Sequence, residues 1–406
     1  MGTQVRIEPV DLVRKGIRRF VMVPFRLYRG DPNWIPPLIS HEIAQFMPEK
    51  NPSFDDCRAR LFLAFRDGEE RACGRIAAIV SDAYIERWKK RCGRFGWFES
   101  VEDPGVARAL FRSAEAWLLE QGMEEASGPL GFCDNDPTGF LVEGFDQLPT
   151  IAGSYNPPYY NDFAIEAGYV KELDYVEYRI TVPQSIPERI ARLADEVSKR
   201  RNIRVFTARS RKELKRDWGK KAFDLLNKAY VSLYGTTPLS DRQIAFYIDN
   251  YLGNVDPEFI KLATCEDRLV GLVIAMPNLS RAFQKAGGRL FPLGFVHLLR
   301  GLKTSRVLDF YLAGVLPGYQ NRGVDLLLGL EMAKSCLDRG FRYAESNREM
   351  EENRLIQAQW KAYDRKLHKR TRVYNRKLRA EQTRGMTSLD TDAGSAPDPT
   401  GSLSID

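Results

Sequence analysis

The sequence predicts an α/β fold in which two mixed-sheet domains follow one another, with a disordered C-terminal tail. Three observations lead to it. The order strand, strand, strand, helix, strand, helix, strand runs twice along the chain, which marks a tandem duplication. One strand, Val307 to Val315, feeds through the loop LPGYQNRG into a long amphipathic helix that Gly340 ends. Beyond Ala380 the chain is polar, free of aromatics and rich in Ser, Asp, Gly and Pro, so it cannot bury enough apolar surface to order itself. The expected division is a first domain at 1–182, a connection at 183–204, a second domain at 205–380 and the tail at 381–406.

Composition narrows the function classes. With 406 residues, 43% hydrophobic and 28% charged, the chain fits a soluble globular protein with room for two cores. Its formal charge is +7, and the tail holds five acids against Arg384, so the body is more basic still. A basic body suits acidic partners: nucleotides, an anionic membrane surface, an acidic carrier protein or nucleic acid. The six cysteines form no CxxC pair and the three histidines are far apart, which argues against a metal site, a disulfide framework or a Ser/His triad. Any chemistry falls to carboxylates, tyrosines or water. No signal-peptide core and no apolar run of ~20 residues is present, and Arg6 stands where a myristoylation signal needs Ser or Thr. The expectation is a cytoplasmic protein, with peripheral contact at the inner membrane surface left open.

In chain order, 10–38 mixes apolar residues with six arginines and lysines and reads as an arm on the first domain or a basic element on a membrane. LFLAFR, DGEE and GRIAAIV form a hairpin and FGWFES a third strand. Asp103 and Pro104 start a helix, with Leu110, Ala114 and Trp117 on one face. A short strand near Ala126, a turn-rich segment, a helix at 161–167 and the strand LDYVEYRIT complete the first copy. The segment 183–221 is the most basic stretch, read as a solvated helix face or a docking patch; it lacks the interleaved aromatics of an RNA surface, so nucleic acid is not expected. The second copy runs FIKLATC, LVGLVIAM, VLDFYLAGV, a helix at 324–339, RYAES, a helix at 352–364 and TRVYNRKL.

The loop before the helix at Val324 is the clearest chemical feature. The first turn of a helix has unpaired N–H groups and a positive dipole end, which together favour an anion such as phosphate. Gly323 removes a side chain there, and Gln320, Asn321 and Arg322 add donors.

Here Gln320-Asn321-Arg322-Gly323-Val324-Asp325 resembles the acyl-CoA loop, Q/R-x-x-G-x-G/A, of the Gcn5-related N-acetyltransferase (GNAT) superfamily, with Asp325 where the pattern has a small residue. The downstream ESNREMEENRLIQAQWKAYDRK is similar to a second block of that superfamily. The first half, with WIPPL, GRIAAIV and GFDQLPTIAGSYNPPYY, resembles the amino-terminal half of bacterial tandem acyltransferases, and the whole looks akin to enzymes that join a fatty acyl group to a long-chain amine, as in ceramide synthesis. The resemblance implies two GNAT-like domains, the first degenerate and without a phosphate loop. It implies an N-acyltransferase with acyl-CoA or an acyl-carrier thioester as cosubstrate, an amine or sphingoid-type lipid amine as acceptor, and no tightly bound cofactor or metal. The pyrophosphate would sit at Gln320 to Asp325 and the pantetheine arm along the strand ending at Val315. Glu345 is then the candidate base and Tyr363 the candidate acid, with Asp309 in reserve and Asn353 as a cap. Two other readings stay open: a non-catalytic acyl-CoA sensor and an aminoacyl-tRNA-dependent transferase.

One insertion stands apart. Between Met276 and Val307 lies a stretch without a single acid, in which Leu290, Phe291, Leu293, Phe295, Val296, Leu298, Leu299 and Leu302 neighbour Arg300, Lys303 and Arg306. It reads either as a helical insertion between the halves, with His297 at a polar edge, or as a lid or membrane-facing element for a long acyl chain.

Overall fold

A computed structural model of the chain describes residues 4–133, 136–252 and 255–379. The polar tail at 381–406 lies outside the described residues. Among the described residues, fourteen strands form one mixed sheet. In chain order they are β1 (Val5–Val10), β2 (Cys57–Arg66), β3 (Gly74–Ser81), β4 (Cys92–Ser100), β5 (Glu125–Gly128), β6 (Phe140–Glu143), β7 (Val170–Thr181), β8 (Ile203–Phe206), β9 (Ile260–Cys265), β10 (Arg268–Pro277), β11 (Val307–Val315), β12 (Tyr343–Glu345), β13 (Glu349–Met350) and β14 (Arg365–Lys377). Across the sheet the order is β1-β2-β3-β4-β5-β14-β7-β12-β11-β10-β9-β8, with β6 against β14 and β13 against β7.

The two copies are joined by an exchange of their last strands. β7 ends the first copy yet pairs with β12, Tyr343 facing Thr181 and Glu345 facing Arg179. β14 ends the second copy yet pairs with β5, Tyr374 facing Gly128. β7 and β14 also pair with each other along most of their lengths. Neither copy completes its sheet without a strand from the other, a long-range relation that no local pattern carries. The seam is charged as well as hydrogen-bonded. Lys369 Nζ lies 2.7 Å from Glu177 Oε2, and both side chains are almost wholly buried.

The interior strands read as the packing requires. All of GRIAAIVS in β3 is buried, because helices or loops cover both faces of the sheet there. The helix Pro104–Glu120 packs on this half, burying Val106, Leu110, Phe111, Ala114 and Leu118. In the other half Val324–Asp338 buries Val324, Leu327, Leu328, Met332 and Cys336. The predicted helix at 352–364 is shorter than its pattern suggests: Arg354–Gln359 is α-helical, a 3₁₀ turn covers Trp360–Ala362, and the chain is extended by Tyr363. Asn353 caps it, accepting from the Ile356 N–H at 3.4 Å. The connection 183–204 carries the helix Glu188–Arg201, whose Lys199 and Arg192 pair with Asp195 and Glu188 one turn away. These exposed pairs are what a solvated helix face shows.

Candidate active site

Each copy contains one parallel strand pair that parts after three residues. β4 and β5 match Cys92 to Glu125 through Arg94 to Ser127. β11 and β12 match Val307 to Tyr343 through Asp309 to Glu345. Beyond these points each pair opens into a notch, and the two notches differ.

In the first copy the chain fills its own notch. Leu130 N–H donates to Phe95 O at 2.7 Å, and Arg94 Nη1 reaches Gly131 O and Phe132 O at 3.1 Å each. The approach is so close that a Cβ on Gly96 would stand 2.3 Å from Leu130 O. The following helix also satisfies itself: Asp103 accepts from the N–H groups of Gly105 and Val106. Among the described residues, Leu130 takes the strand edge where the pair parts and Asp103 takes the helix start.

In the second copy neither is filled by a neighbouring backbone segment or a side-chain cap, although Tyr230 Oη donates to Ala313 O at 2.9 Å and Asn347 Nδ2 to Tyr311 O at 3.1 Å. Among the described residues no strand pairs with β11 on its β12 side after Asp309, and Tyr311 is the extra residue of a bulge between Phe310 and Leu312. The helix Val324–Asp338 starts at Gly323 with no side-chain cap. Gly323 sits at φ +80°, and a Cβ there would come within 2.8 Å of Val197 Cγ1, so both conformation and space call for glycine. Asn321 is also left-handed, at φ 57°, which turns the loop sharply into the helix. Gln320 Nε2 donates to Val315 O at 3.4 Å, tying the loop to the strand end.

A cavity of about 1810 Å³ opens from this notch and extends between the two copies. Its wall includes Tyr311 to Val315 of β11, Gln320, Asn321 and Asp325 of the loop, Leu326, Gly329, Leu330 and Ala333 of the helix, and Tyr363. Leu328, Met332 and Cys336 of the same helix also line the cavity. First-copy residues including Trp34, Glu42, Trp97 and Tyr155 line the far end. The insertion contributes Leu290, Leu298, Leu299 and Leu302. Its two helices, Ser280–Ala286 and Gly294–Thr304, pack together, and the first is tied to the first copy by Ser280 Oγ to Pro149 O at 2.7 Å.

The carboxylates are placed differently from expectation. Glu345 is buried, its Oε1 accepting from Arg179 Nε at 2.9 Å and its Oε2 lying 2.6 Å from His368 Nε2. Burial raises its pKa, but His368, Lys369 and Arg179 outweigh that and hold it below the usual carboxylate range. It does not line the cavity. Asp309 is fully buried beneath the wall, bonded to the Asn278 amide at 2.9 Å and to the Tyr311 hydroxyl at 3.3 Å, and burial pushes it up to about 7. Tyr363 does face the cavity, its hydroxyl lying 3.8 Å from where Gly329 would carry a Cβ; burial raises its pKa.

The residue missed from sequence is Glu349. It lies on the cavity wall, where β13 rejoins β7, and is 8% exposed. Trp360 Nε1 donates to its Oε1, and its Oε2 has no hydrogen-bond partner among the described residues. Burial pushes its carboxyl up to about 7, against smaller lowering from Trp360 and Arg365. Its neighbours Asn347 and Arg348 are tied down, Asn347 Nδ2 to Tyr311 O at 3.1 Å and Arg348 Nη1 to Asp136 O at 3.0 Å. In sequence Glu349 is one of several acids in ESNREMEENR, and only the register of β13 separates it from the others.

No family model matches the chain. It is 30% identical to the bacterial ceramide synthase of Caulobacter vibrioides over 329 residues, 79% of this chain and 83% of that protein. It is 29% identical to Protein YghO of Escherichia coli over 331 residues, 80% of this chain and 83% of that one. Among solved structures, a tandem GNAT protein from the clavulanic acid biosynthesis pathway aligns with TM-score 0.52 and 10% identity, over 93% of this chain and 99% of that chain. The GNAT region of a fungal β-N-acetylglucosaminidase aligns with TM-score 0.53 and 11% identity, over 93% of this chain and 38% of that chain. The chain thus has the tandem GNAT fold and belongs to the family of the bacterial ceramide synthase.

Proposed function

We propose that the protein is an N-acyltransferase that moves a long-chain acyl group from an acyl-CoA, or an acyl-carrier thioester, to the amine of an amphipathic acceptor of the sphingoid type. The observation that carries this reading is the second notch: an open strand edge and an uncapped helix start beside a largely apolar cavity, where the first copy has filled both features with its own chain. The ceramide synthase relative supports the acceptor class, and the cavity supports the long chain, since each buried methylene contributes ~0.8 kcal/mol. The first domain, 1–182, shapes the acceptor end, and the second, 205–380, holds the thioester. Such a protein works on the cytoplasmic side, where CoA thioesters are found.

The chemistry needs no covalent enzyme intermediate. The donor pyrophosphate lies at Gln320 to Asp325 and its pantetheine arm along β11 toward Val315, with the acyl chain in the cavity. The acceptor nitrogen adds to the thioester carbonyl carbon, a backbone N–H of β11 steadies the oxyanion, and the C–S bond then breaks. The ammonium proton leaves to a base and the CoA thiolate takes a proton from an acid. Glu349 suits the base better than Glu345, because it lies on the cavity wall and one of its oxygens has no hydrogen-bond partner among the described residues, whereas Glu345 is engaged by Arg179 and His368. Tyr363 is the proposed acid.

The test is turnover of a long-chain acyl-CoA with a panel of short and long-chain amines. CoA release that depends on a long-chain amine is expected. An acyl-CoA that binds but survives every amine would make the protein a sensor and overturn the proposal.

A further inference from the structure

The helix Gly294–Thr304 and the turn before it carry a second apolar side that the cavity does not use. Its inner residues Leu298 and Leu302 line the cavity, while Phe291, Leu293, Phe295 and Val296 are turned outward and are 75%, 66%, 40% and 45% exposed. Leu299 does both, lining the cavity and remaining 56% exposed, so it marks an opening on this side. Clustered exposed side chains of this size are uncommon on a soluble surface without a partner. Arg289, Arg300 and Lys303 are exposed among them, and no Asp or Glu occurs anywhere from 268 to 308. The helix Ser280–Ala286 behind it is held to the first copy through Gln284 Nε2, which donates to Pro32 O at 2.8 Å and Trp34 O at 3.1 Å. Gly301 lets the outer helix sit close on that anchor, since a Cβ there would be 3.0 Å from Ala282 Cβ. The apolar face is thus carried on a firm base. No helix among the described residues is long and apolar enough to cross a membrane.

We propose that Phe291, Leu293, Phe295 and Val296, ringed by Arg289, Arg300 and Lys303, dock the protein on an anionic bilayer so that a lipid amine passes from the membrane to the cavity at Leu299. The pairing of apolar side chains with basic ones and no acid is the complement of a bilayer surface: the rings and branched chains enter the acyl boundary and the cations meet the headgroup phosphates. An acidic protein would meet the cations but would need a matching apolar patch for the outward rings, whereas an anionic bilayer supplies both. The inference deepens the proposed function and rests on it for the passenger, but the docking step is measurable without any turnover.

The experiment uses the full chain with vesicles of phosphatidylglycerol and phosphatidylcholine, compared with phosphatidylcholine alone, read by co-sedimentation. Binding to the anionic vesicles is expected, weakened roughly tenfold or more in a Phe291→Asp, Leu293→Asp double variant. Arg300→Glu with Lys303→Glu should remove the preference for anionic vesicles. Neither pair changes the affinity for CoA in calorimetric titration, which also shows that the variants fold. Equal binding by wild type and the Asp variant overturns the docking claim. So does a wild type that ignores vesicles yet becomes monomeric only when Phe291 and Leu293 are charged, for the face is then a contact between copies. Vesicle binding without turnover of any amine leaves docking standing and fails only the proposed function.

Discussion

The Trp360 indole N–H donates to one oxygen of Glu349, on the cavity wall, and leaves the other buried and without a partner among the described residues. Burial raises the Glu349 carboxyl despite the Trp360 donor, whereas the bonds and charges of His368, Lys369 and Arg179 hold Glu345 below the usual range. Glu349 and Glu345 lie four positions apart and represent these two cases.

Glu349 therefore sets the pH dependence of turnover. With its carboxyl raised to about 7, kcat/KM should rise with pH up to about 7 and then level off. Glu349→Gln should remove that limb and lower kcat by roughly a hundredfold or more. An unchanged profile would assign the proton to another group.

The same shift has a consequence for stability with a definite sign. The Glu349 carboxyl binds its proton more tightly in the folded chain than at its ordinary value of 4.5. Its folded form is favoured below that value, and stability is lost as pH rises toward about 7, by on the order of 3 kcal/mol. Glu349→Gln stays neutral, so its Tm should exceed that of the wild type at pH 8 and match it near pH 4. Gain of stability with loss of activity would separate a catalytic carboxylate from a structural one.

Glu345 should behave in the opposite way. Removing it strands the Arg179 and His368 side chains that it pairs with. Glu345→Ala is expected to cost roughly 3 kcal/mol, read by denaturant unfolding. Glu345→Gln should leave the pH midpoint of kcat/KM where it was.

Asp325 stands in the first turn of the loop helix and on the cavity wall. There it favours the helix dipole by ~0.3–1 kcal/mol but repels a pyrophosphate. Asp325→Asn, or the shorter Asp325→Gly, should tighten CoA binding several-fold while slightly lowering Tm. Calorimetric titration and thermal unfolding of the same sample would read both signs.

Much of this was legible in the sequence. The hairpins, the helix started by Asp103 and Pro104, and the loop QNRGVD follow from local rules of periodicity and capping, and local rules decided them. The exchange of β7 and β14 was not legible, because Arg365–Lys377 looks the same whichever copy it pairs with. Nor was the choice between Glu345 and Glu349. Burial, an ion pair with His368 and an indole donor come from strands and turns far apart in the chain. The filling of the first notch rests on Leu130 lying against Phe95, a contact the glycines permit but do not announce.

The central claim is that one of the two copies binds the thioester, and CoA titration by calorimetry tests it most directly. The wild type should bind one CoA per chain. Gly323→Val, which forces a side chain into the left-handed position against Val197, should abolish binding, while Asp103→Ala in the first copy should cost about 1 kcal/mol of stability and leave affinity unchanged. Two CoA molecules per chain, or binding that survives Gly323→Val and is lost with Asp103→Ala, would contradict it.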